Sequence, residues 1–406
     1  MINRKTTGFI LAGALFSLFS FAILHSNLPI LSFDSYKPRP PYWDLDFGIS
    51  SIWDCFQESG LQIFSVDPNT FPSLASCRNF NYGYFSVTSF GLLRIISANT
   101  VFWGVLQTLV FGFVLARTYL YKIEKTKLVL SILALFSPGI FLLEASGNMD
   151  MEIVIFLLLA GICSQNGKDK IALTLICITA LFKFYTAPIL LIVTFFSKKR
   201  SSRIYGVMLL FVTGSTILYQ MIQMPIPPFP IGAQNKFGAM IIANYSRKAG
   251  IEMNQTQGQV LGIVLLIAVL GAMYFFHRTS EQIQKEKLEN VTHQDEFLLL
   301  NFLVMATTSV VCYTYTMNVD YRLVFVALAG VSLLQVNQVN VKYFTSLFPY
   351  IWLTSLWLSF PFAYLSKYIG FDLQPIGDIA LIGTISYFIF QAFFVFKILL
   401  GKASKK

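Results

Sequence analysis

Charge is what this chain lacks most. Only 12% of its 406 residues are charged and 55% are hydrophobic, against roughly 25% charged in an ordinary soluble domain. That deficit excludes a water-facing globule. Histidine is also scarce, with His25, His277 and His293 scattered along the chain. No His-Glu-x-x-His zinc motif occurs, no Gly-x-Ser-x-Gly elbow and no Walker-type Gly-Lys-Ser/Thr loop, so neither a zinc hydrolase, a serine esterase nor an ATP-driven pump is indicated. The inter-span loops leave no room for a nucleotide-binding Rossmann domain. There are five cysteines. Cys163, Cys177 and Cys312 fall in or beside apolar runs and read as small packing residues. Cys55 and Cys77 share one long loop; an oxidising compartment would permit a bridge between them.

What fills the sequence instead is a series of apolar runs near the length that crosses a hydrocarbon core. The net charge of +10 does not point to nucleic acid, because the cations sit in short tracts between those runs. Arg4-Lys5, Lys122/Lys125/Lys127, Lys168/Lys170, Lys198-Lys199-Arg200, Arg278/Lys285/Lys287 and Lys402/Lys405-Lys406 form a positive-inside pattern. It places these tracts and both termini on the cytoplasmic face. The first apolar run lacks a clean cleavage site after Ile23 and reads as a retained helix.

The expected fold is an all-α polytopic membrane bundle, one integral domain over residues 1–406. Spans are expected near 8–24, 100–120, 128–143, 151–164, 204–222, 258–276, 297–315, 321–336, 342–360 and 378–399. That is about ten crossings at one per roughly 20 apolar residues. The segment 171–197 is flanked by basic tracts on both sides and interrupted by Lys183 and Pro188. It reads as a re-entrant hairpin of two short helices with Phe182-Lys183-Phe184-Tyr185 at its tip, a shape tolerated only where protein or a wet cavity covers it. A long first outer loop within 25–99 carries two candidate interfacial helices, over 47–56 and 84–97. A second outer loop, 223–257, opens on a proline-rich run.

Several polar residues stand out against this background. Lys183 lies mid-segment, where an ionisable group is costly and functional by default. Snorkelling to an interface is the competing account. Asp44 and Asp46 share a face if the chain is extended there, and one could draw a proton from an acceptor hydroxyl. They could equally be solvated loop carboxylates. Glu144, Asn148 and Asp150 form an outer turn in which Asn148 or Asp150 could simply cap the next helix. Asp320 and Arg322 flank Tyr321 at a helix mouth, where Asp320 could cap and Arg322 suits a phosphate or sugar.

Four blocks, in this order, resemble the polyprenol-phosphate-mannose-dependent α-mannosyltransferases, the bacterial branch of the GT-C membrane glycosyltransferases. They are Asp46-Phe47 with Asn81-Tyr82; Ser137-Pro138 with Gly147-Asn148-Met149-Asp150; Phe182-Lys183-Phe184-Tyr185 with Pro188; and Asp320-Tyr321-Arg322-Leu323. The resemblance implies a GT-C-like bundle in the bacterial plasma membrane with an outward-facing site. A hexose, mannose by family default, would pass from a polyprenyl-phosphate donor to a lipid or glycan acceptor. Asp46 would be the base, with Asp44 in reserve, and Lys183 and Arg322 would hold the donor phosphate. Glu144, Asn148, Asp150, Tyr185, Asp320, Tyr321 and Tyr82 would line the sugar or acceptor site. In-line attack would invert the anomeric centre, with no cofactor, metal or nucleic-acid partner. The competing class is a transporter or flippase for a lipid-linked or small solute. Such carriers usually show paired repeats with matching broken helices, and only one interrupted segment is found here.

Overall fold

The computed structural model describes residues 84–97, 99–119, 125–197, 199–223, 236–237, 251, 253–277, 292–315, 318–319, 322–336, 347–359 and 373–404, with Tyr42, Leu45, Ile49, Trp53, Asp54 and Gln57 of the first long loop. The helices are α1 (Tyr84–Ile96), α2 (Thr100–Tyr119), α3 (Lys125–Leu135), α4 (Pro138–Ser146), α5 (Asp150–Gln165), α6 (Asp169–Phe182), α7 (Ala187–Phe196) and α8 (Arg200–Gln223). They continue with α9 (Gln255–His277), α10 (His293–Tyr315), α11 (Leu323–Gln335), α12 (Phe348–Leu358) and α13 (Gln374–Ser404). Lys236–Phe237 and Asn318–Val319 form one short antiparallel pair, β1 and β2, with Lys236 opposite Val319.

The protein is an α-helical polytopic membrane protein. Among the described residues five helices are long and apolar enough to cross a bilayer: Thr100–Tyr119, Arg200–Tyr219, Thr256–Tyr274, Gln294–Thr314 and Gln374–Leu400. A sixth candidate is the pair Lys127–Leu135 and Pro138–Glu144, bent by 48°. Pro138 opens α4 and cannot donate the amide that a continuous helix would need there. Over the crossings expected at 151–164, 321–336 and 342–360 the described residues form helices of 16, 13 and 11 residues, with 321, 342–346 and 360 outside the described residues. The span expected at 8–24 lies outside the described residues, as do Cys55 and Cys77 and most of the second outer loop. Cys177 and Cys312 are buried and Cys163 is half-buried, as packing residues should be.

The described residues fall into two compact units. The first draws on 38–116 and 144–232, the second on 117–143 and 233–406. In the first, α6 is central and packs against α1, α5, α7 and α8. It stops at Phe182, and Lys183 takes extended backbone (φ −144°, ψ 122°) before a single 3-10 turn, Phe184–Thr186, leads into α7. Pro188 explains the stop: a helix running through would need its amide to reach the carbonyl of Phe184 and would clash there. The carbonyl left open by the break is closed from outside, because the Ser86 hydroxyl of α1 donates to Phe182 O at 3.2 Å. The Phe182 ring lies edge-on to Phe85 at 5.2 Å and stacks on Phe156 at 6.2 Å. The break expected at Lys183 is thus present and clamped between α1 and α5.

In the second unit α11 packs against α3, α10 and α12, and α13 packs against α9, α10 and α12. Every residue of α11 from Leu323 to Leu333 is buried, as an all-apolar helix should be. Trp352 of α12 closes over it. Its indole N–H donates to Val326 O at 3.0 Å, and its ring occupies the space a side chain at Gly330 would fill. Tyr119 bonds the same helix through Ser332 and Gln335. By contrast α8 and α9 expose broad apolar faces, with Phe211, Ile222, Val260 and Ile267 outward, the surface that lipid covers.

A methyl group at Gly330 would come within 2.1 Å of the Trp352 indole. Gly330→Ala is expected to destabilise the protein by about 1–3 kcal/mol. Adding Trp352→Phe should cost less than the sum of the two single changes. Thermal unfolding of the detergent-solubilised variants checks both statements.

Candidate functional site

The polar cluster of the first unit grows from three local conformations. The first is the end of α4. Gly147 has φ +60°, the left-handed conformation that closes a helix, and its amide donates to Glu144 O at 3.2 Å. Glu144 therefore belongs to the last turn of α4, and the turn itself is narrower than Glu144–Asp150, covering Gly147 to Met149. The second is the start of α5, where the Asn148 side chain accepts the Asp150 amide at 3.0 Å. Asp150 and Glu152 lie in the first turn of α5, where negative charge is favoured by the helix dipole. The third is the break after α6, which frees Lys183 to leave the helix direction and turn to α5.

These pieces meet. Lys183 Nζ donates to Asp150 Oδ1 at 2.7 Å and to Asn148 Oδ1 at 3.2 Å. Lys183 is 5% exposed and Asp150 fully buried. The Tyr185 hydroxyl donates to the same Asp150 oxygen. Of the residues singled out in the sequence, Asn148, Asp150, Lys183 and Tyr185 are thus brought together. Glu144 is buried one turn earlier. Arg322 stands in the second unit as the residue preceding α11. Asp44, Asp46, Tyr82, Asp320 and Tyr321 lie outside the described residues.

The first long loop reaches this turn through Tyr42 and Leu45, which bracket Asp44 in sequence. A side chain on Gly147 would lie 3.1 Å from Cβ of both. Both are buried, and Tyr42 adopts φ +60°, a strained conformation for an aromatic residue. Its ring fills the notch at Gly104 of α2, and its hydroxyl pairs with Thr108 one turn on. Burial raises the Tyr42 phenol above its ordinary pKa and the Glu144 charge adds to this, while the Thr108 bond opposes it.

Two further participants were not read from the sequence. Gln107 of α2 donates from Nε2 to Asn148 O at 3.4 Å and to the Glu152 carboxylate. Glu152 lies within the electrostatic reach of both Lys183 and Asp150. The signal for both was there: a glutamine inside the apolar α2, and an acid two residues past the start of the apolar α5. Among the described residues no cluster of three or more His, Cys, Asp or Glu could hold a metal ion.

The chemistry available is that of a buried, oxygen-rich cluster in which, among the described residues, the Lys183 ammonium bonds Asp150 and Asn148. Lys183→Met alone should destabilise the protein by about 3–5 kcal/mol, because it strands Asp150 in a buried site. Lys183→Met with Asp150→Leu should recover most of that loss. A double-mutant cycle on thermal stability measures the coupling; additive losses would show that the two charges do not interact.

No protein-family model, no curated protein and no solved structure matches the chain.

Proposed function

We propose that the chain is a membrane glycosyltransferase of the GT-C kind. It moves a hexose, mannose by the resemblance, from a polyprenyl-phosphate donor to a lipid or glycan acceptor on the outer face of a bacterial plasma membrane. One observation carries the reading. Two of the blocks behind the resemblance, Gly147–Asp150 and Phe182–Tyr185, meet through Lys183 and Asp150, 33 residues apart in sequence. The residues on either side of Asp44 seat on the same turn. Polar blocks that serve one reaction must converge in this way, whereas separate helix caps need not.

In this reading Asp46, with Asp44 in reserve, takes the proton of the acceptor hydroxyl as it attacks the anomeric carbon. The bond to the lipid phosphate breaks on the opposite side, and inversion follows. The leaving group is already activated, so the protein's main task is to stabilise its growing charge. Lys183 and Arg322 are the cations the resemblance offers for that task.

A second reading, a carrier for a lipid-linked or small solute, draws on the same buried ion pair, since paired ionisable groups at membrane depth often line a transport path. Proteoliposomes separate the two. A carrier moves intact substrate across the bilayer, whereas a transferase releases polyprenyl phosphate.

Asp46→Asn should lower transfer from a polyprenyl-phosphate sugar by about 10²–10⁴-fold, the usual worth of a general base, with expression and thermal stability unchanged. Asp44→Asn should be milder. Transfer assayed in membranes decides it, and wild-type rates in both variants would falsify the base assignment.

A further inference from the structure

We infer that Gln107 and Glu152 are recognition residues for the hydroxyl groups of a neutral, sugar-like ligand, and that Lys183 is a positioning residue rather than a phosphate ligand. This rests on the transferase reading for its biology but not for its chemistry. Charge comes first. Lys183 faces Asp150 at 2.7 Å and also Glu152. With Glu152 ionised the cluster has more acid than base; with Glu152 protonated the charges balance. Counted over the described residues, in neither state does it carry the surplus positive charge that a phosphate requires.

Unused hydrogen-bonding capacity comes second. Gln107 is 8% exposed and anchored by its amide nitrogen to Asn148 O. Its Oε1 is buried with no hydrogen-bond partner among the described residues, and the same holds for Glu152 Oε2. An unpaired buried oxygen is costly. Two such oxygens, on side chains that already touch, leave hydrogen-bonding capacity open. Hydroxyl groups both donate and accept, so they can fill it whether Glu152 is ionised or protonated. The pair sits on α2 and α5 beside the turn against which Tyr42 and Leu45 pack, so a ligand there would meet the first long loop.

Lys183 then has a different task. Its ammonium gathers Asp150 and the Asn148 side chain, while Asn148 O receives the Gln107 amide. The lysine thereby fixes the turn on which the Gln107 carboxamide is aimed.

The test uses the full chain in lipid nanodiscs and two probes, octyl α-mannopyranoside, which has hydroxyls and no charge, and farnesyl phosphate, which has a phosphate and no sugar. Binding is read by intrinsic fluorescence and folding by thermal unfolding. Gln107→Leu and Glu152→Leu should each raise the glycoside Kd by about tenfold or more, equivalent to about 1.4 kcal/mol. The farnesyl phosphate Kd should stay within about twofold, a shift well below the worth of one hydrogen bond to a charged group. Gln107→Leu also removes the amide bonds to Asn148 O and Glu152, so some loss of melting temperature is expected, and the comparison of the two probes on the folded variant, not its stability, carries the test. Equal loss of both probes would overturn the inference, as would glycoside binding indifferent to both substitutions or undetectable in the wild type. Glycoside binding of the expected kind without sugar transfer would remove the transferase reading and keep this site. Transfer with glycoside binding indifferent to both substitutions would do the reverse.

Discussion

The first unit depends on one ion pair. Lys183 and Asp150 are almost wholly shielded from solvent, and each charge alone would be expensive to bury. Their contact is possible only because α6 ends one residue before Lys183, and α6 ends there because Pro188 cannot continue it. The open carbonyl at Phe182 is closed by Ser86. A proline thus sets the position of a charge five residues earlier, and that charge draws the α5 start and the preceding turn into a fixed arrangement. Replacing the pair by apolar residues would be compatible with folding. Its presence is therefore weak evidence for stability and better evidence for a shaped polar site.

The turn joins two conditions. Gly147 must be left-handed to end α4, and it must lack a side chain because Tyr42 and Leu45 lie against it. Tyr42 in turn needs Gly104 for its ring. Two glycines, one in α2 and one in the turn after α4, thereby accept one aromatic residue, and the strained backbone of Tyr42 is held by burial. The loop is docked by shape at the place where the polar side chains gather.

Much of this was legible in the sequence. The break at Lys183 followed from a lysine and a proline inside one apolar segment, and the positions of α2, α8, α9, α10 and α13 followed from run length. The short helices were harder. Hydropathy alone does not distinguish a helix wrapped by protein, as α11 is from Leu323 to Leu333, from one wrapped by lipid. Glu144 was placed in a turn although it closes a helix, because the left-handed residue that ends α4 is Gly147, three positions later. Gln107 and Glu152 were missed because only their meeting across α2 and α5 gives them meaning. The partnership of Lys183 with Asp150 is likewise tertiary: no local rule joins residues 33 apart.

The enclosure of α11 bears on how the chain is assembled. Its 13 described residues give a rod of about 20 Å, and protein covers it from Leu323 to Leu333. Lipid is only its temporary solvent. During biogenesis it must be shielded until α12 emerges and Trp352 reaches Val326. Insertion of this region is then cooperative, with the late helices completing the burial of an earlier one rather than each partitioning alone.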